Sequence, residues 1–109
     1  NVFELTKTFP KEETYSLTDQ VRRSSRSVGA NITEAWSKRR YPAHFISKLS
    51  DSDGEQNETR HWLKSALLCN YISDETYNVL VSKCKAVGRK LGHMMQHADQ
   101  WVPKDSHCA

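Results

Sequence analysis

The side chains of this sequence that can do chemistry fall into four groups, and the largest is basic. Arg22, Arg23 and Arg26, followed by Lys38, Arg39 and Arg40, set six cations against one acid, Glu34, between Val21 and Arg40. Lys83, Lys85, Arg89 and Lys90 form a second, acid-free basic segment. If the two segments converge, they offer a phosphate backbone a cationic track. Each neutralised phosphate then releases counterions, so binding weakens steeply with salt and discriminates little between sequences. Trp36 and Tyr41, nearby in the chain, can add stacking on bases. The competing reading is solvated or paired charge. Cations at Lys38 to Arg40 suit the negative end of a helix dipole, and Arg22 or Arg26 can pair across helices with Glu55 or Glu58.

The second group is a polar set, Asn31, Glu34, Glu55 and Glu58. Between helices, each member must find a partner or incur a desolvation cost, and pairing with Arg22, Arg26 or Ser24 would fix helix register. The third group has metal-ligand spacing. Glu58-Thr59-Arg60-His61 is an E-x-x-H that lets a helix present two ligands on one side, but a carboxylate-bridged di-metal site needs a second such motif and two further glutamates. His93 and His97 lie one turn apart without the glutamate of H-E-x-x-H, and a solvated face is the simpler reading.

The thiols Cys69, Cys84 and Cys108 are the fourth group. Their odd number and the lack of C-x-x-C spacing argue against a disulfide framework or a zinc site, and Cys69 and Cys84 read as core thiols in a reducing cytoplasm. No nucleophile elbow or glycine-rich phosphate loop occurs, so the sequence predicts no enzyme, no cofactor and no metal.

Positioning these groups falls to helices. The 109 residues, 37% hydrophobic and 27% charged with a net charge of +3, predict one globular domain over 1–109. No stretch is apolar enough to cross a bilayer, and Asn1 to Pro10 carries no secretory signal, although the absent initiator Met hints at missing upstream sequence. Ser16 with Asp19 has the form of a capping box. From there Leu17, Val21, Ser25, Val28, Ile32 and Ala35 trace an apolar and small stripe, with Gly29 and Ala30 suggesting close helix approach. Pro42 suits a helix start before Phe45, Ile46 and Leu49. The run SDSDGEQNETRH, Ser50 to His61, has no clearly apolar residue, so Asp53-Gly54 reads as a turn, with a continuous polar-faced helix as the alternative. Trp62, Leu63, Ala66, Leu67 and Tyr71 resume the period, a tight connection at Asn70 to Ser73 follows, and Tyr77 to Trp101 traces an apolar face up to Pro103. The expected helices span about 1–8, 17–40, 42–70 and 74–101, with a tail at 102–109. Trp36, Tyr41, Trp62 and Trp101 are candidate interface anchors, with core packing the alternative.

The run VRRSSRSVGANITEAWSKRRY from Val21, followed by HFISKLSDSDGEQNET and WLKSALLCNYIS, resembles the bacterial four-helix-bundle proteins named after intervening sequences in 23S ribosomal RNA genes. The likeness extends from Leu5 to about Gly92 and is most specific at Gly29-Ala30-Asn31-Ile32 with Glu34. It implies an antiparallel up-and-down all-α bundle whose first helix is truncated here, and it makes Pro42 to Asn70 one helix. The family is similar in fold to the accessory variability protein of diversity-generating retroelements, a pentameric ring that binds nucleic acid and a reverse transcriptase. By that analogy the resemblance implies a homo-oligomer, a pentamer, with an RNA-related partner. The expectation is therefore a cytoplasmic, non-catalytic oligomeric module binding RNA or single-stranded DNA through a basic face on the second and fourth helices. The alternative is a protein–protein scaffold.

Overall fold

The computed structural model describes residues 2–13 and 16–101, and no strand occurs among them. Its helices are α1 (Val2–Thr6), α2 (Leu17–Ser37), α3 (Pro42–Leu68) and α4 (Asp74–Gln96), with 3-10 turns at Lys11–Glu13 and Ala98–Gln100. This is the all-α four-helix architecture with a short first helix. Thr14, Tyr15, Cys108 and the rest of the 102–109 tail, Pro103 included, lie outside the described residues.

Local chemistry fixes the helix ends. α2 does not begin with the expected capping box: the Ser16 hydroxyl donates to Glu13 at 2.9 Å, and the same carboxylate accepts the Leu17 N–H at 3.3 Å. The capping carboxylate thus comes from the preceding 3-10 turn, where it satisfies an orphan donor at the positive end of the helix. α2 stops at Ser37, short of Arg40, because the Lys38 N–H is shared between the Glu34 and Ala35 carbonyls and the chain tightens into a turn. Pro42 opens α3 at its first turn. α3 closes in a Schellman arrangement: Asn70 takes a left-handed φ of 62°, its N–H bonds the Leu67 carbonyl, and the Tyr71 N–H bonds that of Ala66. Ser73 then caps α4 by accepting the Thr76 N–H at 3.1 Å. α4 ends at Gln96, before the expected Trp101, where His97 leaves helical geometry and a 3-10 turn tucks Ala98 into the core.

α3 is the central element, packed against both α2 and α4, which scarcely touch each other. The molecule is correspondingly a flat plank of 55 × 24 × 17 Å with a radius of gyration of 16.3 Å. Its core lies in two halves. Phe9, Leu17, Val21, Leu63, Ala66, Ile72 and Val81 fill one end, and Ala35, Phe45, Leu49, Leu91 and Ala98 the other. Phe45, Leu49 and Leu63 are fully buried, each contributing about 1.5–3 kcal/mol.

Between the halves lies a buried polar waist of Ser24, Ser52, Gln56 and Thr59. Its three α3 members come from the run that reads as a turn, and α3 passes through Asp53-Gly54 unbroken. The helix survives because its inward residues carry their own partners. The Ser52 hydroxyl donates to the Val28 carbonyl at 2.8 Å, and the Thr59 hydroxyl lies 2.9 Å from both Ser24 Oγ and the Glu55 carbonyl.

These small hydroxyl residues, and not Gly29, carry the close approach of α2 to α3; a Cβ at Gly29 would meet open space. The tight glycine is Gly88 on α4, where a Cβ would lie 2.8 Å from Gln56 Nε2. The thiols also depart from expectation. Cys69, at the exposed end of α3, is no core residue, and Cys84 is half-buried. Burial pushes the Cys84 thiol up, opposed by the charge of Arg60.

Candidate nucleic-acid interface

α3 lies between α2 and α4, so Arg22, Arg23 and Arg26 line no opening with Lys85 and Arg89, and of the expected second-helix cations Arg39 approaches the α4 set, through Trp36 and Trp101. On α2 the arginines are largely committed to structure. Arg22 Nε donates to Thr6 Oγ1 at 2.7 Å and its guanidinium lies 4.5 Å from the Phe3 ring centre, fastening α1 to α2. Arg23 bridges to α3, pairing with Glu55 at 3.3 Å and with Glu58, and it also donates to Gln20. Glu58 raises the Arg23 pKa above its ordinary value, and Arg23 lowers that of Glu58, helped by the Trp62 indole N–H and opposed by burial. The expected partners of these acids, Arg22 and Arg26, take no part. Arg26 is exposed and without an ion pair among the described residues.

The polar set is accordingly two flank contacts and one local bond, not a buried network. Glu34 pairs with Lys48 at 3.0 Å on the surface, and Asn31 donates to the Ser27 carbonyl one turn back at 2.9 Å. The waist residues take the buried place that spacing alone assigned to these acids. One waist atom has no partner: Gln56 Oε1, on a side chain only 5% exposed, is the single buried side-chain polar atom without a hydrogen bond among the described residues.

At the end of α2, Lys38 and Arg40 project from the turn, and Arg39 lies over Trp36 with its guanidinium 4.0 Å from the ring. Trp36 is 49% exposed and packs edge-to-face with Trp101, 37% exposed, at 6.3 Å between ring centres. Trp62 by contrast packs on the first core half.

Three cations without an ion pair lie between α3 and α4. Arg60, Lys85 and Arg89 line a cleft of about 420 Å³ with Asp53, Asn57 and Gly88. Arg60 Nη1 donates to Asn57 Oδ1 at 3.3 Å, and Asp53, the one carboxylate, accepts from Gln56 Nε2 at 3.0 Å. None of the three cations has an ion pair among the described residues. Lys85 and Arg89 belong to the expected basic face; Arg60 does not. The signal for Arg60 was in the sequence only if the polar run is held as helix, since a turn at Gly54 leaves its position relative to α4 undefined. Arg89 also borders a second opening, about 390 Å³, lined with Lys90, His93, Met94 and Trp101. Lys83 faces elsewhere, onto an apolar groove with Val28, Cys84 and Val87.

The metal-like spacings are otherwise engaged. His93 and His97 rings stack at 4.3 Å, with His97 Nδ1 3.0 Å from the His93 carbonyl, and Glu58 is held by Arg23 and Trp62. Among the described residues no three His, Cys, Asp or Glu side chains group to hold a metal ion, and no helix is long and apolar enough to cross a membrane.

Comparison with known proteins adds a family. A family model described as 23S rRNA-intervening sequence protein matches residues 1–93. The chain is also similar to a crystal structure of a protein of unknown function from the S23 ribosomal protein family of Bacteroides thetaiotaomicron VPI-5482. The two share 30% identity and a TM-score of 0.79 over 87% of this chain and 85% of that one. No curated protein matches.

Proposed function

The chain belongs to the 23S rRNA-intervening sequence protein family, and from that premise we propose that it is a non-catalytic, self-associating cytoplasmic module that binds nucleic acid by its phosphate backbone. The observation that carries this reading is the α3–α4 cleft, which Arg60, Lys85 and Arg89 line with a single carboxylate, Asp53. Cations left unpaired on a folded surface repel one another, and a phosphate relieves that repulsion while accepting bidentate hydrogen bonds from either guanidinium. Backbone recognition of this kind is salt-dependent and tolerant of sequence.

The test is fluorescence anisotropy of labelled single-stranded RNA and duplex DNA titrated with protein at several salt concentrations. Lys85→Glu with Arg89→Glu reverses charge at two exposed positions and should abolish binding with the helical circular dichroism unchanged. Lys85→Ala alone should lower the slope of log affinity against log salt by about one. Binding that survives the double reversal overturns the reading. Absence of binding even at low salt would favour the scaffold alternative, whose support is the exposure of large apolar side chains at Leu68 and Val79.

A further inference from the structure

The opening beside the cleft has a different chemistry from the cleft itself. It is walled by apolar atoms of Arg89, Lys90, His93, Met94 and Trp101. Two positive charges therefore rim a surface that is otherwise carbon. The Trp101 indole is braced by Trp36, which it meets edge-to-face at 68°, and Arg39 covers Trp36 in turn. A braced, partly exposed indole gives up little conformational freedom when a second flat ring lies against it. Arg89 belongs to both openings, so whatever enters one is held next to the other.

A single ligand satisfies both halves: a flat heteroaromatic ring attached to a phosphate. We propose that the Trp101 slot is a base-stacking site for single-stranded nucleic acid, with the adjoining phosphate held in the Arg60–Lys85–Arg89 cleft. This inference rests on the nucleic-acid reading above and goes further, because it commits the protein to a strand form. In a duplex each base already has both faces covered, so the slot is idle and only the phosphate contacts remain. In a single strand an unstacked base adds about a tenfold gain in affinity, equivalent to about 1.4 kcal/mol, with little dependence on which base it is. The apolar walls offer few base-reading hydrogen bonds, in keeping with that tolerance.

The experiment measures affinity of the full chain for three probes of equal length: oligoadenylate, a DNA duplex and an abasic single strand. The wild type should bind oligoadenylate about tenfold more tightly than the abasic strand, which keeps the phosphates and lacks the ring. Trp101→Leu should lose that tenfold for oligoadenylate and leave duplex affinity and the salt slope unchanged, while Trp101→Phe should retain most of it. Duplex affinity doubles as the control for folding, and the abasic comparison needs no variant. Equal wild-type affinity for the abasic strand and oligoadenylate overturns the stacking site while leaving the phosphate cleft standing. Equal loss on duplex and single strand in Trp101→Leu also overturns it. A wild type that binds none of the probes removes both proposals.

Discussion

Arg23 shows how much of a charged residue's role is fixed by the rotation of its helix. Spacing brings Arg22, Arg23 and Arg26 onto α2 and Glu55 and Glu58 onto α3, but it does not say which arginine crosses the seam. The structure turns Arg22 toward α1 and Arg23 toward α3, a difference of one residue that exchanges an aromatic partner for two carboxylates. That choice depends on how the apolar stripe beds into α3, which no local pattern encodes. The pair is partly exposed, so its contribution to stability is modest and screened. Its pH dependence is nevertheless directional. Arg23 holds the Glu58 carboxyl below its ordinary value, so the contribution is complete above about pH 4.5 and is lost as pH falls through the depressed folded value. Glu58→Gln should therefore flatten the acid-side fall in stability below about pH 4.5, as read from urea midpoints across pH. An unchanged acid limb would mean that the ion pair is silent.

α3 is the element that was least legible. A dozen residues without an apolar side chain satisfy every rule for a loop, and the resemblance to a known family, not propensity, made them helical. The physical reason is that Ser52, Gln56 and Thr59 recur at helical spacing as an inward polar stripe, with partners on α2 and on their own helix. Polarity measures solvent preference only where no partner is supplied. α2 and α4 were readable from their stripes and missed mainly at their ends, where Lys38 and His97 turn the chain early. The glycines give a sharp test at this scale. Gly29 lies in open space on α2, so Gly29→Ala should stabilise by about 0.5–1 kcal/mol from propensity alone. Gly88→Ala must displace the buried Gln56 carboxamide and should fall short of that gain or become destabilising, as overpacking typically costs about 1–3 kcal/mol. Thermal melts of the two variants side by side would expose the contrast, and equal gains would refute the close α3–α4 approach.

At the scale of the whole molecule, the plank arrangement separates the two basic helices that one-dimensional reading had joined. The candidate site therefore lies on one flank of α4 and includes Arg60 from α3. The all-α class was legible because apolar periodicity is local, whereas the number of helices came from the family resemblance. The site was half legible, since Lys85 and Arg89 stand out as an acid-free run whereas Arg60 is hidden within the polar stretch.

The same flatness governs how the protein moves through solvent. A compact chain of 109 residues has a radius of gyration near 13 Å, and the observed 16.3 Å is that of a compact chain of about 190 residues. A single protomer should therefore emerge from a sizing column close to the volume of a globular protein of nearly twice its mass. Light scattering on the same peak should return a whole multiple of 12.6 kDa. A subunit number taken from elution volume alone will overcount, and a peak that looks dimeric by retention yet weighs one protomer is the signature of a plank diffusing end over end.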